Sequence, residues 1–214
     1  DAALLLTVLQ GADARDAHTV SVRDVDPMPG LRRGVKGLRL ARLPADERDG
    51  IDAEVLAAYD RSVDALATLG AEIIDVPLPA RFAELGAING RIMSAEAYAA
   101  LATLVDDNAA PLDADVRPRV RAGAAISSRD YLIALAERER MKATFLAAID
   151  GVDALLTPTA VTPAIPVASI DQNTTPAVFT RWVNFLDLCA AAVPNGCTAG
   201  GLPTAPASPA PFTP

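Results

Sequence analysis

The chain has 214 residues, 51% hydrophobic and 21% charged, the composition of a folded globular chain rather than a disordered one. Aromatic residues make up only 4%, and 27 acids against 19 bases give a net charge of −8. Both argue against a nucleic-acid partner: a phosphate backbone wants a basic face, and base stacking wants aromatic platforms.

Residues 1–10 (DAALLLTVLQ) read as a short apolar helix, with Asp1 as N-cap and Gly11 as its stop. The chain opens without Met and is read as a fragment or processed piece. Residues 12–34, with Asp13, Asp16, Asp24, Asp26, Pro27, Pro29 and Gly30, form a polar surface connection. Residues 38–43 (LRLARL) alternate and predict a strand. Val55, Leu56, Tyr59, Val63 and Leu66 then recur near helical spacing over residues 52–69, and Gly70 closes the helix. A second strand, 71–76 (AEIIDV), ends at Pro77 and completes a βαβ-like unit.

Residues 82–104 predict a long helix, broken by Pro111 and its neighbouring acids. Ser127 or Ser128 caps a third helix reaching about residue 149, with Leu132, Leu135, Met141, Phe145 and Leu146 on its inner face. Residues 152–157 (VDALLT) form a short buried strand before a loop holding Pro158, Pro163 and Pro166. A helix over 179–188 and a strand over 190–193 follow. The final stretch, 203–214, holds five prolines and no charge, and is expected to build neither a helix nor a central strand. The reading is an α/β fold, a mixed β-sheet flanked by helices, over residues 1–202, with a Pro-rich tail at 203–214 that is disordered or truncated.

Candidate chemistry is sparse. A serine–histidine–acid triad needs a histidine to take the serine proton. The only histidine, His18, lies in a polar loop, and no Gly-x-Ser-x-Gly elbow exists. The only lysines, Lys36 and Lys142, sit in charged surroundings without a Gly/Ser-rich loop, and Ser127-Ser128 reads as a helix cap. Residues 117–121 (RPRVR) admit a carboxylate clamp but fit a solvated face better. No phosphate-binding glycine loop and no metal-ligand cluster is present, so no cofactor and no metal are expected. Cys189 and Cys197 read as two reduced thiols, and no apolar run approaches the roughly 18–20 residues a membrane span requires. A cytoplasmic protein with no membrane partner is the expectation. The segment LLTP, residues 155–158, ends a buried strand in Thr and Pro, either a ligand crevice at a strand end or an ordinary Pro-rich connection.

Seven stretches, taken in order, resemble the amidase signature family. They are DAALLLTVLQGADARD at the start, GLRLARL, ALATLGAEIIDVPLP, SAEAY, GAAISSRDY, DALLTP, and NFLDLCAAAVPNG before Gly201-Leu202-Pro203. The resemblance implies a hydrolase of amide carbon–nitrogen bonds, or an amidotransferase component that releases ammonia from an amide. The family uses a lysine, a relaying serine and a nucleophilic serine beside glycine-rich backbone N–H groups. All of these belong to its N-terminal half, which this sequence lacks. No catalytic role therefore passes to Lys36, Lys142, Ser127 or Ser128.

What remains matches the part that shapes the substrate pocket. The resemblance points to Thr157, Pro158 and Thr159 at the strand end, to Arg181 and Asn184 on the helix bearing Trp182, and to Asn89. Trp182 reads as core packing. The implied partners are a small-molecule amide, the missing half of the same protein, and as an open alternative a second copy of the chain. The competing reading is a non-catalytic binding or structural module of the same fold. In either case the isolated chain is expected to be marginally stable, with sheet edges uncovered.

Overall fold

A computed structural model describes residues 1–17, 19–20, 24–172 and 174–210. His18 lies outside the described residues. Helix α1 (Ala2–Leu9) follows Asp1, whose side chain makes no capping bond, and none of its residues is buried. Strand β1 (Arg39–Ala41), helix α2 (Ala53–Thr68) and strand β2 (Glu72–Ile74) form the expected βαβ unit, with β1 and β2 parallel. Asp52 starts α2 by accepting from the Glu54 and Val55 amides. Gly70, at φ +96°, turns the chain out of it.

Helix α3 (Phe82–Asp106) is followed by the short α4 (Val116–Arg121) and then α5 (Ser128–Ala148). Ser127 caps α5, accepting from the Asp130 amide at 3.1 Å. Its buried line runs through Ala134, Met141 and Phe145. Leu132, expected on that line, points outward and is 63% exposed, because it lies on the opposite side of the helix from Ala134.

Strand β3 (Ala154–Leu155) pairs parallel with β1 and gives the order β2-β1-β3. Leu156 still donates its amide to Ala41 at 2.8 Å. The chain then changes partners, and β4 (Thr157–Pro158) enters a second sheet. Helix α6 (Val178–Phe185), strand β5 (Cys189–Ala192) and the small ladder of β6 (Gly196–Cys197) with β7 (Pro203–Thr204) lead to β8 (Pro206–Ala210). β8 lies between β4 and β5, antiparallel to both. The fold is thus the mixed α/β arrangement expected.

One expectation is corrected. Residues 203–210 of the Pro-rich tail form strands, and β8 is the central one of its sheet. The register shows how prolines are tolerated. Thr159 donates to Ala205 and Val193 to Pro206, which fixes which residues exchange hydrogen bonds across each antiparallel pair. By that alternation Pro158 turns its nitrogen away from β8. Pro206 faces β5, where its carbonyl accepts, and Pro209 falls beyond the end of β4. Pro158 and Pro209 thus sit where no donor is needed, and Pro206, which cannot return a bond to Val193, stands at the first residue of its strand, where proline is tolerated.

The few aromatic residues are concentrated where α3, α5 and α6 meet. Phe82 stacks on Trp182 with centroids 4.6 Å apart, meets Phe179 edge-on at 5.9 Å, and Phe145 completes the cluster 5.4 Å from Trp182. Trp182 is fully buried, core packing as expected. The start of α3 is capped from a distance: buried Glu47 accepts from the Phe82 amide at 3.0 Å and from Arg81 Nε at 2.7 Å.

Candidate functional site

In open α/β sheets a ligand crevice lies outside the carboxyl ends of parallel strands, where successive connections leave in opposite directions. Here that point is between β1 and β3, since β1 is flanked by β2 on one side and β3 on the other. Tyr59, projecting from α2, fills it. Its hydroxyl accepts from the Leu43 amide at 2.7 Å and donates to the Leu156 carbonyl at 3.2 Å. Burial pushes the Tyr59 pKa up to about 12, against the opposing effects of the Leu43 amide and of Arg48. The phenol therefore stays neutral and holds the two strand ends together.

Open space lies one step further along, at the end of β4. Two clefts flank residues 160–164. The larger, about 830 Å³, is bounded by Val161, Ile165 and Ile170 and carries Arg119 and Arg181. The smaller, about 290 Å³, holds Thr159 and Thr204 among Pro163, Pro194 and Pro203. Ala160, Thr162, Pro163 and Ala164 belong to both, so this proline-stiffened segment is their shared wall.

The residues singled out from the sequence fall as follows. Thr159 lines the smaller cleft and Arg181 the larger. Thr157 and Pro158 are fully buried directly behind them. Thr157 and Thr159 are two apart in an extended segment and so share a face. Their hydroxyl oxygens are buried and make no hydrogen bond among the described residues. Asn184 is exposed on α6, one turn from Arg181. Asn89 is buried on α3, where its amide meets Met93 Sδ at 3.4 Å, and it lines neither cleft. The strand end and Arg181 thus come together, whereas Asn89 lies apart.

The sequence reading missed Arg119 as a cleft residue. It reaches the cleft from α4 and is held by the Gln172 side chain at 2.9 Å and by the Gln172 carbonyl. The RPRVR run was the available signal, since its alternate arginines diverge. Arg117 turns inward to the carbonyls of Val105, Asp107 and Ala110, and Arg119 turns to the cleft.

Neither lysine is placed for acyl chemistry. Lys142 Nζ pairs with Asp187 at 2.6 Å, and Lys36 packs its stem under Gly70. Ser127 is engaged by Asp130. No hydrogen bond joins a lysine to a serine among the described residues. No group of three or more His, Cys, Asp and Glu side chains comes together among them. No helix among them is long and apolar enough to cross a membrane.

Comparison with known proteins agrees with this architecture. A family profile described as Amidase matches residues 1–206. A glutamyl-tRNA(Gln) amidotransferase subunit of Trichlorobacter lovleyi is 33% identical over 231 residues, covering 95% of this chain and 47% of the relative. An amidase of Pseudomonas putida is 32% identical over 168 residues, covering 77% of this chain and 35% of the relative. The crystal structure of the corresponding glutamyl-tRNA(Gln) amidotransferase subunit from Thermotoga maritima superposes with a TM-score of 0.72 at 25% identity, covering 98% of this chain and 46% of that one. The chain spans about half the length of the curated relatives it matches.

Proposed function

The chain belongs to the amidase family, and from that premise we propose that it is the pocket-forming half of an enzyme that hydrolyses carbon–nitrogen amide bonds. The reactive serines and lysine come from the half of the family's polypeptide that this chain does not span. In the reaction a serine oxygen on that half attacks the amide carbon. The nitrogen leaves as ammonia or an amine after taking a proton, and water releases the acid. The present residues hold the acyl portion. The Thr157–Thr159 strand end approaches the reacting group, and Arg181 lies toward the far end of the substrate. The observation that carries this reading is the pair of clefts at the β4 end, with two buried hydroxyls beside them that no group among the described residues satisfies. The pairing of Lys142 with Asp187 supports a borrowed catalytic lysine.

Two measurements test it. The purified 214-residue chain is expected to show no turnover of simple amides, while a family-length polypeptide containing it does, with a serine-reactive phosphonate attached outside residues 1–214. Turnover by this chain alone, lost on Ser128→Ala, overturns the reading. In the active polypeptide, Thr159→Val or Arg181→Ala is expected to raise KM about tenfold with kcat nearly unchanged, the signature of a lost binding contact. Unchanged KM in both removes the clefts from the substrate site.

A further inference from the structure

We propose that the larger cleft selects an acyl group whose far end is a carboxylate, with Arg181 as the specificity-determining residue, so that the amides taken are half-amides of short dicarboxylic acids. The inference rests on the function proposed above and names the substrate class of that site.

Acids outnumber bases by 27 to 19 in this chain. Several of its arginines have accordingly found one: Arg39, Arg42, Arg48, Arg81 and Arg121 each meet an aspartate or a glutamate. The larger cleft runs against that composition. It carries Arg119 and Arg181, and neither pairs with a carboxylate among the described residues. Arg119 is occupied, but by neutral acceptors, the carbonyl and the side chain of Gln172. Arg181 makes no hydrogen bond and no ion pair among the described residues. A guanidinium presents its donors in a planar fork that matches the two oxygens of a carboxylate. Arg181 brings that fork to the cleft wall unused.

The start of α6 adds to the same positive field. The segment that leads into this helix lines the cleft as far as Pro176. The helix then starts from Ala177 without a capping side chain and without an acid in its first turn. The positive end of its dipole is therefore uncompensated. Arg181 follows about one turn in, and helical side chains lean toward the N-terminus. A cation there opposes the dipole, whereas at the other end of the helix it would be favourable. An anion bound at this point offsets that cost, because both the guanidinium and the helix start attract it.

The other walls describe the rest of the acyl group. Val161, Ile165 and Ile170 are apolar and suit a chain of methylene groups. Asp171, the one acid among the described lining residues, is already engaged. An ammonium group on the acyl chain would therefore enter a cleft whose dominant charge repels it. A neutral chain would leave Arg181 unpaired, and a half-amide pairs it. Hydrolysis of such an amide adds water across the carbon–nitrogen bond and gives a dicarboxylate and ammonia.

Turnover by a family-length polypeptide that contains this chain tests the proposal. Glutaramate is expected to show a KM at least about tenfold below that of hexanamide, a neutral amide of similar length, and below that of glutamine, which adds an ammonium group. Arg181→Ala should remove most of that preference by raising KM for glutaramate about tenfold. Arg181→Lys should keep part of it, and Arg181→Glu should turn the preference toward 6-aminohexanamide, whose chain ends in a cation. Arg181 is exposed, so these variants do not disturb the core. Equal KM values for glutaramate and hexanamide overturn the proposal, and so does an Arg181→Ala variant that keeps the preference. Binding separates the two readings. Glutarate, the product, should raise the thermal midpoint of the parent polypeptide but not of Arg181→Ala. A polypeptide that hydrolyses no amide yet responds to glutarate through Arg181 keeps the carboxylate site and removes the proposed function. Hydrolysis of neutral amides without any response to glutarate keeps the function and overturns the site.

Discussion

Tyr59 does three jobs with one side chain. Its ring is buried under the sheet, its hydroxyl accepts a backbone N–H, and the same hydroxyl donates to a carbonyl at the end of a different strand. Tyr59→Phe keeps the ring and strands the Leu43 amide without a partner. The expected loss is about 1–3 kcal/mol, read as a lower denaturation midpoint. Its pH dependence is equally specific. The folded pKa, about 12, lies above the unfolded value near 10. The contribution is therefore complete below pH 10 and is lost as pH rises from 10 toward 12. Stability measured across that window should fall less steeply in the Phe variant than in the parent. Asp187 is a second residue whose role only the structure reveals. It sits past α6 at φ 54°, a conformation that glycine or asparagine adopts more readily. Lys142 and Arg138 hold its carboxylate there; although burial opposes ionisation, the two cations keep its pKa below the ordinary carboxylate value.

At the scale of elements, the sequence was readable wherever a local signal decided the outcome. Alternation placed β1, helical spacing placed α2, and the Ser127-Ser128 pair announced the start of α5. The register of β8 was not readable, because proline is penalised by composition alone, whereas the fold penalises it only where a donor is required. Glu47 could not be recognised as the cap of α3, since it lies 35 residues before Phe82 in sequence. Thr159 and Arg181, named from the resemblance, line the two clefts, whereas Arg119 was not singled out, because its direction depends on where α4 packs. Gly123 belongs to the same class. A methyl group there would collide with the Ser94 carbonyl oxygen, so only glycine lets the turn before α5 lie against α3. Gly123→Ala is expected to cost about 1–3 kcal/mol through forced separation of the two elements. The thermal midpoint should drop by several degrees, and an unchanged midpoint would mean that α3 does not approach this closely.

For the whole molecule, the distribution of apolar surface separates two kinds of stability. The cluster of Phe82, Phe145, Phe179 and Trp182 and the buried strands beside it form one continuous core that the chain supplies by itself. Helix α1 contributes nothing to that core. It is tied to the rest through Gln10, whose side chain exchanges two hydrogen bonds with Val25. Substituting its outward leucines should therefore change association without changing folding. Leu5→Glu combined with Leu9→Glu is expected to move the midpoint of cooperative unfolding by less than about 0.5 kcal/mol, as for surface sites in general. The same pair should convert concentration-dependent light scattering of the isolated chain to that of a monomer, because it removes the largest uncovered apolar helix. A substantial loss of folding stability in that variant would show that α1 packs within the chain after all, and the core would then have to be redrawn to include it.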